Sequence, residues 1–161
     1  MKKLLLILLC LPIFVLSQTF VSTTSENKNV VLELFGGINC SFCPDGHVIA
    51  ESLQNNNPND LFVIKIHAGG YANPQGAGTD FRTAFGAAID AQSGLVGYPA
   101  GTVNRHNFPG LEQGSSGATA MSRNNWSTAA AQILTETSPV NVATQASVDL
   151  STGLITVDVE V

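Results

Sequence analysis

Two cysteines separated by two residues constrain this chain more than any other feature of its sequence. Cys40 and Cys43 follow a short apolar run, residues 30–35, that two glycines end, and residues 48–53 carry apolar side chains at helical spacing. A short, nearly continuous apolar run is typical of a buried parallel strand. The pair is therefore predicted to stand where a buried strand ends and a helix begins.

This position favours thiol chemistry. The unpaired N–H groups and the macrodipole at a helix N-terminus stabilise a thiolate, so we expect the pKa of Cys40 to fall below the ~8.5 of a free thiol. Cys40 is the predicted nucleophile, and Cys43 is predicted to resolve the mixed disulfide. Pro44 would occupy the first helical turn, where a missing N–H group is tolerated. Because a disulfide across so short a loop restricts the unfolded chain little, chemistry explains the pair better than stabilisation does.

The first residues, 1–18, have the pattern of a secretory signal peptide. Two lysines precede an apolar run over residues 4–16, which a proline interrupts and which is shorter than the ~20 residues that span a bilayer. Cys10 lies inside this run without the small residue before it that lipid attachment requires, so we expect it to leave with the signal peptide. Cys40 and Cys43 would then remain in an exported chain, in a compartment where disulfides persist.

Composition excludes two broad classes of protein. Hydrophobic residues make up 44% of the chain and charged residues 12%, which is unlike a disordered protein. The formal net charge is −5, with 7 Lys and Arg residues, so the chain lacks the basic stripe that nucleic-acid binding requires. We therefore predict a folded domain with no nucleic-acid partner.

Further segments predict an α/β domain. Residues 61–66 form a second apolar run that ends at His67, and strand, helix and strand in this order predict a βαβ unit with a parallel sheet. A short helix is expected next, with Asp80 as its N-cap. Trp126 is expected in the core, on the apolar face of a later helix. The apolar face of the short helix is predicted to consist of Phe81, Phe85, Ala88 and Ile89.

Three segments together carry a family resemblance: residues 31–37 leading into the cysteines, residues 66–70, and residues 97–105. They resemble the thioredoxin-like family of Bacteroidota envelope proteins named after the twenty-eight-kilodalton outer membrane protein. The resemblance covers residues 30–161. It implies a thioredoxin-like fold, a mixed sheet flanked by helices, located in the periplasm or at the outer membrane and cell surface.

The resemblance also implies a role for Tyr98 and Pro99. In thioredoxin-like folds a loop with a cis-proline packs against the two cysteines and presents its backbone to an extended substrate chain. We therefore expect a cis Tyr98–Pro99 bond, although only ~5% of bonds before proline are cis. Tyr98 and Pro99 are accordingly the predicted substrate-binding residues, followed by a short strand over residues 101–104.

The chain departs from thioredoxins at two positions beside the cysteines. Asn39 stands where thioredoxins have a tryptophan, and Leu34 stands where they have a buried aspartate. Glu33 is one position away and should point to the other face of the strand, where we expect it at a strand edge or in a salt bridge, the alternative being a role as proton acceptor. Arg105, after the short strand, is expected either to contact substrate backbone or to fix a loop.

The last segment, residues 139–161, alternates apolar and polar side chains on both sides of a turn at residues 151–153. This pattern predicts an antiparallel hairpin. We expect it to begin a sandwich-like β domain of a longer protein, the alternative being that it docks on the preceding domain. The predicted organisation is a signal peptide over residues 1–18, a thioredoxin-like domain over residues 19–138 and the hairpin.

Three functions remain open from the sequence. The first is an exported thiol–disulfide oxidoreductase that acts on polypeptide thiols or disulfides through Cys40 and Cys43, with no cofactor and no resident metal. The second is a non-enzymatic outer-membrane or surface protein of adhesion type with a structural disulfide. The third is a copper or zinc carrier, in which His47, and His67 at the end of the neighbouring strand, lie near two thiolates.

Overall fold

The computed structural model describes residues 20–161, so the predicted signal peptide lies outside the described residues. Contacts divide the described chain into two units. One unit comprises residues 26–138, and the other combines residues 20–25 with residues 139–161.

A four-stranded mixed sheet forms the centre of the larger unit. Strand β1 (Val30–Gly36) pairs in parallel with β2 (Leu61–His67) and antiparallel with β3 (Ala100–Val103). The short strand β4 (Met121–Ser122) pairs antiparallel with β3, which gives the order β2-β1-β3-β4. Because β1 is a central strand with side chains buried on both faces, its sequence is nearly continuously apolar.

Helices cover both faces of this sheet. Helix α1 (Cys43–Asn56) connects β1 to β2 and confirms the predicted βαβ unit, α2 (Ala84–Ser93) follows β2, and α3 (Trp126–Leu134) follows β4. One core cluster joins alternate β1 side chains to α1 and α3, and includes the fully buried Trp126. A second cluster packs partly buried Ile89 of α2 on the opposite face. Among the described residues, no helix has the length and apolar character needed to cross a membrane.

The start of α2 differs from the prediction. Its N-cap is Thr83, whose Oγ1 accepts a hydrogen bond of 2.9 Å from the N–H group of Gly86. Asp80 is not the cap, because its carboxylate is bound by the backbone and side chain of Arg82. The apolar face is also wrong in part, since Phe85 is 84% exposed. Phe81 is likewise exposed.

The smaller unit contains the predicted antiparallel hairpin. Strands β5 (Ala143–Asp149) and β6 (Leu154–Glu160) pair along their whole length, with Val148 opposite Ile155. The carboxylate of Glu160 accepts hydrogen bonds from the backbone N–H groups of Phe20 and Val21, at 2.6 and 3.1 Å. The register of β5 with β6 places the apolar side chains of the hairpin on one exposed face. That this hairpin begins a larger sandwich-like domain stays a prediction.

Candidate functional site

Cys40 and Cys43 form a disulfide at the junction predicted for them. Their Sγ atoms are 2.12 Å apart and their Cα atoms 5.3 Å apart. Cys43 is the first residue of α1, and its N–H group donates to the Cys40 carbonyl at 3.2 Å. Cys40 is 7% exposed and Cys43 1%. Cys40 is therefore the cysteine that a second thiol or disulfide can reach more readily.

The Cys43 sulfur lies against the end of β1. A Cβ atom placed on Gly36 would be only 2.8 Å from Cys43 Sγ. That distance is shorter than ordinary van der Waals contact, so the absence of a side chain at Gly36 makes room for the sulfur. Gly37, the second of the two glycines at the end of β1, lies instead against the backbone of Tyr71.

The N-terminus of α1 faces the disulfide loop without a side-chain cap. Phe42 is the N-cap residue, and its side chain makes no capping hydrogen bond. Pro44 lies in the first turn, as predicted. Because no N-cap side chain satisfies the first N–H groups, the partial positive charge of the helix end is directed at the loop of the two cysteines.

The loop before β3 reaches the same edge of the sheet. The Tyr98–Pro99 peptide bond is cis, which confirms the expectation. Pro99 is buried, and a Cβ atom on Gly46 would be 3.1 Å from Pro99 Cγ, so the proline ring packs on the first turns of α1. Ala100 pairs with Phe35, near the carboxyl end of β1. The structure thus brings Pro99 and the disulfide together.

The Tyr98 side chain points away from this edge toward α2. Its hydroxyl group donates to Asp90 Oδ1 at 2.9 Å, and its ring meets Tyr71 edge-on with centroids 6.0 Å apart. Burial, together with the hydrogen bond to Asp90 and the charge of that residue, raises the pKa of the Tyr98 phenol. The Tyr98 side chain therefore holds the proline loop in place, and only the backbone of the loop is left for a substrate.

Asn39 organises a loop that the sequence did not assign to the site. Its backbone N–H donates to the Tyr71 carbonyl at 3.0 Å, and its side-chain amide donates to the Asn73 carbonyl at 2.8 Å. A Cβ atom on Gly37 would overlap the Tyr71 backbone. The segment of residues 69–75 thus docks directly beside the cysteines. The sequence signal for this was the polar residue at a position where thioredoxins have tryptophan.

Glu33 forms a salt bridge with Arg105, which is one of the two arrangements expected for it. Its carboxylate accepts hydrogen bonds from Arg105 Nε at 2.9 Å and from Thr102 Oγ1 at 3.0 Å. Burial alone would raise the pKa of Glu33, but these two hydrogen bonds and the Arg105 charge together lower it. Glu33 alternates with Leu34 along β1, so it lies on the face away from α1. Arg105 accordingly fixes Glu33 and the loop after β3.

Two histidines lie near the disulfide with unpaired ring nitrogens. His47 on α1 lines a pocket of about 210 Å³ together with Leu34 and Lys65. Its Nε2 and the Nδ1 of His67 are buried and make no hydrogen bond with any described group. Burial and then the charge of Lys65 lower the pKa of both histidines. Within residues 20–161, no group of three or more His, Cys, Asp or Glu side chains is placed so that it could hold a metal ion.

Comparison of the chain with protein-family models, with curated proteins and with solved structures finds no match. The site itself combines a disulfide, an uncapped helix N-terminus and the loop of Pro99 at one sheet edge. This combination can hold a thiolate at Cys40 and place a resolving sulfur next to it.

Proposed function

We propose that this protein is exported to the cell envelope, has a thioredoxin-like fold, and exchanges disulfides with polypeptide substrates through Cys40 and Cys43. The single observation that carries the proposal is the position of the disulfide, between the carboxyl end of β1 and the uncapped N-terminus of α1. A helix N-terminus lowers the pKa of a thiol, which makes a cysteine reactive. The signal-peptide pattern of residues 1–18 supports the export of the chain.

Two features support the thioredoxin-like assignment. The sheet is mixed. Its parallel part is the β1–α1–β2 unit, and α2 connects this unit to the antiparallel strands β3 and β4, which α3 follows. The cis Tyr98–Pro99 bond stands directly before β3, where the family resemblance expects it. The strand order depends on long-range pairing, so it supports the fold independently of the cysteine motif.

The exchange proceeds in two balanced steps. The Cys40 thiolate attacks one sulfur of a substrate disulfide, forms a mixed disulfide, and releases one substrate thiolate, which takes up a proton. The Cys43 thiolate then attacks Cys40 Sγ, which forms the Cys40–Cys43 disulfide and releases the second substrate thiol. Two electrons pass from the cysteine pair to the substrate, and a dithiol reductant restores the pair. The same steps in reverse oxidise a substrate dithiol.

Exposed apolar side chains around the cysteines support a polypeptide substrate. Ile38 and Phe42 stand on either side of Cys40 in the chain, and Phe42 is 66% exposed. Tyr71, in the loop that Asn39 holds, is also exposed. Apolar side chains of an extended chain would bury surface against these residues while the chain lies along the backbone of the Pro99 loop.

Insulin reduction driven by dithiothreitol tests this proposal. Wild-type protein should accelerate the reaction, Cys40→Ser should remove the acceleration, and Cys43→Ser should accumulate a mixed disulfide on Cys40. Ser115→Ala, an exposed position outside the site, serves as the matched control and should retain wild-type activity. Full activity in the Cys40→Ser variant would contradict the proposal.

One observation favours the second candidate, a surface protein with a structural disulfide. Both cysteines are largely buried, at 7% and 1% exposure, and buried disulfides resist attack. This candidate predicts that dithiothreitol reduces the pair only when the protein unfolds. Alkylation of the folded protein after brief reduction, followed by mass measurement, distinguishes the two candidates.

A further inference from the structure

We propose that His47 and His67 form a proton relay that takes the proton from the Cys43 thiol when this cysteine resolves the mixed disulfide. The inference rests on the proposed exchange activity and deepens it, because it names the groups that activate the second cysteine. A nearly fully buried thiol such as Cys43 needs a proton acceptor within the protein to become a thiolate.

The sheet register places His67 beside Cys43. Gly36 pairs with His67 in the parallel β1–β2 ladder, and register partners of a parallel pair point to the same face. Cys43 Sγ lies over Gly36 on that face. His67 therefore stands next to Cys43 on the neighbouring strand.

The helix places His47 on the same side. His47 follows Cys43 by four residues in α1, so the two side chains share a helix face, and a helical side chain leans over the turn before it. His47 also lines the pocket with Leu34 and Lys65, which pair with each other two positions before Gly36 and His67. The two histidines thus flank Cys43 from the helix and from the strand.

Both histidines have an unused nitrogen there. His47 Nε2 and His67 Nδ1 are buried and have no hydrogen-bond partner among the described residues. Buried polar atoms in native proteins are normally paired, and an unpaired one calls for a functional explanation. In the reduced protein the single S–H group of Cys43 offers a hydrogen-bond donor to one of these nitrogens at a time.

The surrounding charges keep the relay neutral and able to accept a proton. Lys65 on β2 and Glu51 on α1 are the charged residues that line the pocket with His47. On the same face β1 contributes Leu34, which cannot take a proton. Burial and the nearby positive charges lower the pKa of His47, so its ring is neutral at pH 7.

The proposed step conserves atoms and electrons. The Cys43 thiol proton moves to His47, and the thiolate attacks Cys40 Sγ. The bond between Cys40 and the substrate sulfur breaks, and its electron pair leaves on that sulfur. His67 then accepts the proton from His47 and delivers it to solvent or to the leaving thiolate, so both histidines return to their neutral form.

Rapid-quench reaction of the reduced, full chain with glutathione disulfide tests the relay. Acid quenching and mass measurement give the rate at which glutathionylated Cys40 forms and the rate at which it disappears. His47→Asn should slow the disappearance about 100-fold at pH 7, the scale of general-base catalysis, and His67→Asn should also slow it. The rate at which glutathionylated Cys40 forms is measured in the Cys43→Ser background, with and without each histidine substitution. The histidine substitutions should change this rate by no more than about twofold, because the proposal assigns no histidine to the first step. His106→Asn, an exposed histidine outside the site, is the matched control.

The pH profile separates a proton relay from a structural role. Wild-type resolution should lose rate as the pH falls through the titration of His47, and His47→Asn should lose this inflection. His47→Gln provides a second variant if His47→Asn melts well below the control. Wild-type resolution rates in folded His47 and His67 variants across pH 5.5 to 8 would overturn the relay alone. No glutathionylated intermediate in any variant, wild type included, would overturn the relay and the proposed function together.

Discussion

Adjacent residues on β1 place a structural charge and the disulfide on opposite faces of the sheet. Glu33 is nearly fully buried and is bound by Arg105 and Thr102, and Leu34 on the opposite face lines the pocket of His47. An ion pair that satisfies its buried carboxylate holds it in the ionised form. Glu33 is therefore a paired structural charge, and the proposed thiol exchange would depend on other groups.

Arg105→Met should destabilise the protein by about 1–2 kcal/mol at pH 7, because a buried carboxylate loses its charged partner. The paired Glu33 has a folded-state pKa below its ordinary 4.5, so its contribution is present above that pH and is lost as the pH falls through the lowered pKa. The difference in unfolding free energy between the variant and the wild-type protein should consequently be smaller at pH 3.5 than at pH 7. Urea unfolding at both pH values measures this.

Arg82→Met is the control for this comparison, since its ion pair with Asp80 is exposed. It should unfold like the wild-type protein at both pH values. An equal loss of stability for Arg105→Met at pH 7 and pH 3.5 would show that the Glu33 charge is not the cause.

The cysteine pair and the proline could be identified from sequence because short local signals mark them. The apolar strand before Cys40 and the helical pattern after Cys43 were enough to identify the cysteine pair. Pro99 was identified by its position before a short strand. The unpaired nitrogens of His47 and His67 could not be identified. They result from the register between β1 and β2 and from the packing of α1, which no local pattern contains.

At the scale of elements, strong periodic or apolar segments were predicted and weak ones were missed. β1 and β2 were found because each is a run of consecutive apolar residues; β1 extends one residue further than expected, and β2 ends at His67 as expected. β4 was missed because it has only two residues and is defined by its pairing with β3. α2 was expected to begin at Asp80, because a carboxylate taken up by Arg82 looks the same in sequence as a helix cap.

The loop of residues 69–75 should depend on Gly37. Gly37→Ala places a Cβ atom into the Tyr71 backbone, so we expect a destabilisation of about 2 kcal/mol and slower reaction of Cys40. Gly70→Ala is the matched control, because nothing lies within 4 Å of its added Cβ atom. Denaturant unfolding and the alkylation rate of reduced Cys40 measure the two effects. Equal behaviour of both variants would contradict the docking of this loop on the cysteine segment.

On the scale of the whole molecule, the two site histidines couple the stability of the α/β unit to pH. Burial first, and then Lys65, lower the folded-state pKa of His47 and His67 below the ordinary 6.5. The neutral rings therefore favour the folded state, and this contribution is complete above pH 6.5 and is lost as the pH falls below it.

The melting temperature should accordingly fall between pH 7.5 and pH 5.5, and His47→Gln should reduce this fall. His106→Gln should keep the wild-type dependence, since His106 is an exposed histidine that packs on Phe108. The same pH dependence in all three proteins would mean that other groups determine the acid response.

The reduction potential of the Cys40–Cys43 pair tests the central claim most directly. Equilibration of the folded protein with glutathione buffers, followed by alkylation and mass measurement, gives this potential. An exchange protein should have a value between about −120 and −270 mV, the range of known thiol–disulfide oxidoreductases. A value below about −300 mV, typical of inert structural disulfides, would contradict the proposed exchange function.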